Sequence, residues 1–190
     1  KYAMEQKPLI EEHCFERDGC WFSLDWHSQF YAKSYEALQD LARTRHKEML
    51  KEVEEASYIT LTLGTAIYYE YKMTGQVVAN CQKIPSQNFL RKRASVEEVS
   101  RTLDKIEKRL KKVNPDVEIL YTVSPVRHKK EGLHENNLSK ATLLLAVDES
   151  VRKEKAHYFP SYELALDVLR DYSFYEEDQV HLNEKATSII

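Results

Sequence analysis

The stretch SVEEVSRTLDKIEKRLKKVNPDVEILYTVSP, residues 95–125, decides the fold class. Ser95 precedes Glu98 by three positions, the spacing of a capping box at the start of a helix. Apolar residues then recur every three or four positions and form one stripe along that helix, which Asn114 and Pro115 end. The stripe comprises Val96, Val99, Leu103, Ile106, Leu110 and Val113. The apolar segment that follows is typical of a buried strand, which Pro125 ends.

A second helix followed by a buried strand precedes this stretch. Ser34 is the N-cap of a predicted helix that runs to about Ala56. The segment SYITLTLGTA, residues 57–66, is apolar and β-branched and is predicted as a strand that Gly64 ends. The next residues predict a hairpin with its turn at Thr74-Gly75.

The remaining segments complete an alternation of strands and helices. The sequence predicts an irregular, aromatic-rich segment at 1–33, loops at 81–94 and 126–137, helices at 138–154 and 162–171, and a short strand at 156–163. This alternation predicts an α/β sandwich with a mainly parallel sheet. Gly64 and Ser124-Pro125 follow predicted strands, so the loops that begin there should gather at one edge of the sheet.

Composition limits the classes of function. The chain has 190 residues, of which 42% are hydrophobic and 31% charged, as expected for one soluble domain over residues 1–190. The net charge of −3 gives no general attraction to nucleic acid, and no apolar run reaches the ~18–20 residues that span a membrane. The histidine spacings match no standard ligand set, so neither a metal nor another cofactor is expected.

The three cysteines indicate the redox state of the compartment in which the protein is expected. Reduced thiols and a cytoplasmic location are favoured, whereas an oxidising compartment would allow Cys14 and Cys20 to form a disulfide.

Asp178 and His181 are the first candidates for a catalytic site, because they stand three positions apart in a predicted turn. A carboxylate bonded to one ring nitrogen can hold an imidazole in the tautomer that a general base requires. The alternative is that both are ordinary surface residues.

Other candidates follow the predicted strands. Arg127 and His128 come after the strand that ends at Ser124, and an Arg there can bind a carboxylate or phosphate or can tie down its own loop. The backbone N–H at Gly64 can donate to a substrate oxyanion, and Asn80 can add a side-chain donor. The alternatives are a tight turn at Gly64 and a loop-bracing role for Asn80.

These motifs, taken in order, resemble the GSCFA family from about Trp21 onward. The matching stretches are LDWHSQF at 24–30, TLGTAIYY at 62–69, NCQKIPSQNF at 80–89, TVSPVRH at 122–128, ENNLSKATLLLAV at 135–147 and YFPSYELALDVLRDYSFYEEDQVH at 158–181. That family is similar to the SGNH (GDSL-type) hydrolases. The resemblance implies a flavodoxin-like, three-layer α/β/α fold and the hydrolysis of esters. It also implies that His181 is the general base, that Asp178 orients it, and that Gly64 helps to form the oxyanion hole.

The sequence departs from the family pattern at the nucleophile. The Gly-Ser-Cys-Phe-Ala motif, whose Ser matches the hydrolase nucleophile, is absent, and EHCFER at 12–17 is not its equivalent. The domain is therefore expected to be N-terminally incomplete and to lack the first, nucleophile-bearing strand. Ser124 is the one hydroxyl in the chain that merits a test as a substitute. Gln82 replaces a usual His, Leu182 a usual Pro, and Ala66 stands where the hydrolases carry an Asn.

A sheet without its first strand would expose an apolar edge, so either a rearranged sheet or a homodimer through that edge is expected. The leading functional hypothesis is a Ser-His-Asp type hydrolase acting on a small-molecule or carbohydrate-linked acyl ester. The alternatives are a non-catalytic ligand-binding domain or inactive fragment, and an acyltransferase that uses the same two residues.

Overall fold

The computed structural model describes residues 9–190. The α-helices of this part of the chain are α1 (Tyr35–Glu55), α2 (Val96–Val113), α3 (Leu133–Arg152), α4 (Ser161–Glu163) and α5 (Glu184–Thr187). Its strands are β1 (Cys14–Arg17), β2 (Cys20–Ser23), β3 (Tyr58–Leu63), β4 (Ile67–Tyr71), β5 (Gln76–Val78), β6 (Phe89–Arg93), β7 (Glu118–Val123) and β8 (His157–Tyr158). Short 3-10 turns lie at Glu11–His13, Ser86–Asn88, Lys129–Glu131 and Tyr172–Phe174. No helix among the described residues is long and apolar enough to cross a bilayer.

The chain divides into two compact units. The first consists of Lys1–Ala56 and Ile67–Arg93, and the second of Ser57–Ala66 and Ala94–Ile190. The first unit contains α1 and the antiparallel strand pairs, and the second contains the parallel sheet. That residues 1–190 form a single domain stays a prediction.

The first unit contains two small antiparallel sheets, β1-β2 and β5-β4-β6. Within the segment predicted to be irregular at 1–33, residues 14–23 form a hairpin, whose turn places Asp18 and Gly19 at positive φ (53° and 70°), and residues 1–8 lie outside the described residues. The predicted hairpin with its turn at Thr74-Gly75 is confirmed as β4 and β5. Leu38 and Ala42 of α1 form an apolar cluster with Leu9, in the first unit.

The predicted loop at 81–94 is wrong over its last part. Residues Phe89–Arg93 form β6, which pairs along β4 from Tyr71↔Phe89 to Ile67↔Arg93. The strand is charged and mostly exposed, as edge strands are, so its own sequence carries no apolar alternation. The ladder to β4 satisfies its backbone groups, and that pairing is not visible locally.

The second unit contains the parallel sheet that the sequence predicts, in the order β3-β7-β8. α2 begins with the predicted capping box, in which Ser95 Oγ accepts from Glu98 N and Glu98 Oε2 accepts from Ser95 N. α2 and α3 pack on each other, and Val123 of β7 forms an apolar cluster with Ala66 and Leu143. The α/β class with a parallel sheet is thus confirmed for this unit.

Two boundaries in the second unit differ from the prediction. α3 begins at Leu133, inside the predicted loop at 126–137, because Gly132 turns the chain at φ 84° just before it. The predicted helix at 162–171 is a single turn, α4, followed by a π-helical turn at Leu164–Val168. β3 is a terminal strand of the described sheet, and Tyr58 at its start is 70% exposed. Dimerisation through this edge stays a prediction.

Candidate functional site

The turn that carries Asp178 and His181 is closed by backbone hydrogen bonds. Tyr175 and Leu182 form an isolated antiparallel bridge, and Glu176 N donates to His181 O at 2.8 Å. Inside the turn, Asp178 Oδ1 accepts from Val180 N at 2.8 Å and from His181 N at 3.0 Å. Aspartate commonly bonds its own backbone two or three residues on, and this bonding fixes the carboxylate relative to the following histidine.

The second carboxylate oxygen holds the imidazole. Asp178 Oδ2 and His181 Nδ1 are 2.6 Å apart. The backbone N–H of His181, then its ring and the Val180 N–H, hold the pKa of Asp178 well below its ordinary value of 3.8. The carboxylate is therefore ionised at neutral pH and can only accept, so Nδ1 of a neutral His181 carries the proton and Nε2 carries the lone pair.

The far nitrogen of His181 has no hydrogen-bond partner in the described chain. The side chain is 61% exposed. An imidazole whose Nδ1 is fixed and whose Nε2 is free has the arrangement that a general base needs.

The loop after β7 is tied to this turn by two contacts. Lys129 Nζ donates to the Asp178 carbonyl. The Arg127 guanidinium lies over the Tyr175 ring, with 5.9 Å between its carbon and the ring centroid. The loop that carries Arg127 therefore contacts the turn that carries Asp178 and His181, two segments that the sequence identified separately.

Gly64 and His128 also lie together. A Cβ built on Gly64 would be 3.8 Å from His128 Nε2, an ordinary contact distance, so the site is not crowded. Within the described chain the Gly64 N–H donates to no acceptor, which leaves it available to an incoming oxygen. His128 N is fixed by Asn136 Oδ1, which accepts from it at 3.0 Å.

A buried lysine joins the two strand ends that carry these residues. Lys140 is 1% exposed, and its Nζ donates to Gly64 O and to Ser124 O, both at 2.6 Å. Burial lowers its pKa from 10.5 to about 8. The adjacent Ser139 Oγ accepts from Ala66 N at 2.7 Å, so α3 holds the carboxyl ends of β3 and β7 in place.

The sequence interpretation missed Lys140 and Ser139. The sequence feature that could have identified them is a polar pair inside an otherwise apolar helix, in LSKATLLLAV at 138–147. Such a pair on a buried helix face must find hydrogen-bond partners. The partners here are backbone groups distant in sequence, which the pattern alone does not identify.

A cleft of about 360 Å³ opens beside Arg127. It is lined by Pro125, Arg127, Leu133, Asn136, Asn137, Tyr162 and Leu166. Its volume lies toward the lower end of the range for small-molecule sites.

Comparison with known proteins agrees with the motifs. The model of the GSCFA family matches residues 1–190, the whole chain. This chain belongs to the GSCFA family. Searches of curated proteins and of solved structures returned no significant match.

Two predicted residues of this GSCFA chain make bracing contacts. Ser124 Oγ accepts from Val126 N at 3.3 Å, which is a turn-stabilising role. Asn80, in the first unit, accepts at Oδ1 from Gln82 N at 2.7 Å. A part for Asn80 in an oxyanion hole stays a prediction.

Gln82, which replaces the usual family histidine, is itself structural in this GSCFA chain. It is buried, and its Nε2 donates to Ser23 O at 2.9 Å and to Trp26 O at 2.7 Å. Across residues 9–190, no group of three or more His, Cys, Asp or Glu side chains could hold a metal ion.

Proposed function

We propose that this GSCFA domain is an SGNH-type hydrolase of acyl esters, with His181 as general base and Asp178 as its orienting partner. The observation that carries the proposal is the 2.6 Å contact between Asp178 Oδ2 and His181 Nδ1 on a side chain that is 61% exposed and whose Nε2 has no partner within residues 9–190. An ordinary ion pair on the surface does not require a fixed carboxylate. Here two backbone N–H groups fix one oxygen of the Asp178 carboxylate, while the other oxygen contacts the His181 ring.

The chemistry follows from that arrangement. His181 Nε2 takes the proton of an attacking hydroxyl as its oxygen bonds to the ester carbonyl carbon. The imidazolium, stabilised by Asp178, then gives that proton to the leaving alcohol as the ester C–O bond breaks. Water repeats the two steps to release the acid. The Gly64 N–H supplies one donor to the oxyanion formed in each step.

The proposal assigns no nucleophile within residues 9–190. No described hydroxyl is hydrogen-bonded to His181 Nε2, and the Ser124 hydroxyl oxygen accepts from Val126 N. Ser124→Ala is therefore expected to leave any hydrolysis unchanged.

We also propose a flavodoxin-like, three-layer arrangement for the second unit. The parallel order β3-β7-β8 and the connection of β7 to β8 through α3 support it, since parallel strands need a crossover of this kind.

The test is reaction with short-chain p-nitrophenyl esters and with a serine-directed fluorophosphonate probe. Both are applied to residues 1–190 and to the whole gene product. Ester turnover and labelling are expected in at least one of the two proteins. His181→Ala should abolish both, and the exposed control His157→Ala should retain them. Absence of turnover and labelling in both proteins would reject the hydrolase.

A non-catalytic ligand-binding domain is the second candidate. The observation that favours it is the absence of a hydroxyl on His181 Nε2 in the described residues. Ligand binding in the Arg127 cleft without turnover or labelling would support it.

A further inference from the structure

The cleft beside Arg127 is lined by both apolar and polar residues. Pro125, Leu133 and Leu166 are the apolar ones. Arg127 and Tyr162 stand among the polar groups. A small-molecule site typically combines such an apolar lining with a few polar groups that fix the orientation of the ligand.

The Arg127 cation lacks an anionic partner in the described chain. The guanidinium is half-buried, lies over the Tyr175 ring and is close enough to Tyr162 to act on it electrostatically. A partly buried guanidinium presents a rigid fork of N–H donors that matches the two oxygens of a carboxylate or phosphate.

The neighbouring polar groups are mainly donors. Asn136 Oδ1 accepts from His128 N. Asn137 Oδ1 accepts from Asn136 Nδ2 at a long distance of 3.4 Å. The side-chain N–H groups of Asn137 are therefore available as donors. Burial raises the pKa of Tyr162, so its hydroxyl stays protonated at neutral pH. A cleft with one cation and neutral donors suits a singly charged carboxylate better than a doubly charged phosphate.

The position of the cleft links it to the proposed base. Arg127 lies on the Tyr175 ring, and Lys129, two residues later, binds the Asp178 carbonyl. A ligand carboxylate on Arg127 is therefore held by the same loop that is tied to the turn carrying His181.

We propose that this cleft binds the carboxylate end of a short, singly anionic acyl chain, with Arg127 on the carboxylate and Leu133 and Leu166 along the alkyl part. The inference rests on the proposed function in naming that chain as part of the ester substrate. Arg127 thereby selects esters whose acyl or alcohol part carries a free carboxylate.

The experiment is calorimetric titration at low salt with three probes, hexanoate, hexanamide and inorganic phosphate. Hexanoate and hexanamide have the same length and differ in charge. Wild type is expected to bind hexanoate in preference to hexanamide and phosphate. Arg127→Gln should weaken hexanoate binding about tenfold or more, the loss expected for one charge-assisted pair. Arg127→Lys should recover part of it.

Arg101→Gln is the matched control, since Arg101 is an exposed arginine on α2 of the same unit. It should bind hexanoate like wild type. If Arg127→Gln fails to fold, the hexanoate-to-hexanamide ratio in wild type and in Arg127→Lys decides the question. Equal binding of the two probes, tighter binding of phosphate, or no saturation with hexanoate at millimolar concentration would each overturn the inference.

His181→Ala separates this inference from the proposed function. Hexanoate binding should persist in His181→Ala while ester turnover is lost. Turnover that depends on His181, without Arg127-dependent hexanoate binding, would reject the carboxylate site alone. Arg127-dependent binding without turnover in wild type would instead reject the hydrolase alone.

Discussion

His13 in the first unit and His181 in the second each contact an aspartate carboxylate through Nδ1. His13 Nδ1 lies 2.8 Å from Asp25 Oδ1, and its Nε2 lies 2.9 Å from Thr74 Oγ1. The His13 side chain is 0% exposed. In a neutral His13 ring, Nδ1 donates to the carboxylate, which can only accept, and Nε2 accepts a hydrogen bond from the Thr74 hydroxyl.

His181 has the same Nδ1 contact and none at Nε2 among the described residues. The difference teaches that an Asp–His pair is not by itself a catalytic signature. His13 uses both nitrogens to join a 3-10 turn, the segment after β2 and the β4-β5 turn, and so has no nitrogen left for proton transfer. His181 uses one nitrogen on Asp178, and the other has no partner among the described residues, which is the property that the proposed base requires.

The largest expected difference between the two Asp–His pairs is in the rate of ester hydrolysis. Asp178→Asn should reduce ester hydrolysis about 10³-fold or more, because an amide no longer selects the Nδ1–H tautomer or stabilises the imidazolium. Asp25→Asn should leave hydrolysis intact in the folded protein. Steady-state rates with a p-nitrophenyl ester measure both. Equal losses in the two variants would mean that the two pairs do not differ in role.

The second expected effect is on the free energy of unfolding, and here the His13–Asp25 pair is the one that matters. His13→Ala removes the hydrogen-bond partner of the Asp25 carboxylate, which is 3% exposed, and of the half-buried Thr74 hydroxyl, at a cost of about 3 kcal/mol. Trp21 and Trp26 both lie in the first unit, so urea unfolding followed by tryptophan fluorescence reports on it directly.

His27→Ala is the matched control for the stability measurement, since His27 lies in the same unit as His13 and the two tryptophans. His27 is exposed, and its Nδ1 accepts from Gln29 N at 3.3 Å. Loss of that exposed side chain should change the free energy of unfolding by about 0.5 kcal/mol or less. A change below about 1 kcal/mol in His13→Ala would show that the buried pair is not structural.

Lys140 provides a third, pH-dependent effect in the second unit. Its pKa of about 8 in the folded chain lies below the 10.5 of the unfolded chain, so the unfolded chain binds more protons between these values. The free energy of unfolding should therefore rise as pH increases from about 8 to 10.5. Urea unfolding at several pH values, followed by circular dichroism, measures the slope. Lys140→Met should reduce the slope, and an unchanged slope in that variant would contradict the assignment.

The smallest effect concerns the Asp178 turn. The pKa of Asp178 is depressed below 3.8, so its hydrogen bonds stabilise the turn at neutral pH and are lost as pH falls through the lower, folded value. The amide resonances of Val180 and His181 should shift in that acid range. A titration of these amides near the ordinary carboxyl pKa would contradict the depressed value. In Asp178→Asn the acid shift should disappear.

The features predicted from sequence are local ones. The capping box of α2 and the strands β3 and β7 depend on neighbouring residues, and so does the Asp178–His181 turn. β6 exists because it pairs with β4, and its charged sequence gives no sign of this. Lys140 and the His13–Asp25–Thr74 network depend on contacts between residues far apart in sequence. Sequence spacing alone could not supply those partners.

The tautomer of His181 tests the central claim most directly. Long-range ¹H–¹⁵N correlation of the imidazole ring at neutral to mildly alkaline pH distinguishes a protonated nitrogen from an unprotonated one. We expect Nδ1 of His181 to carry the proton, Nε2 to be unprotonated, and Asp178→Asn to abolish this preference. A protonated Nε2, or the same tautomer in Asp178→Asn, would contradict the assignment of His181 as a base oriented by Asp178.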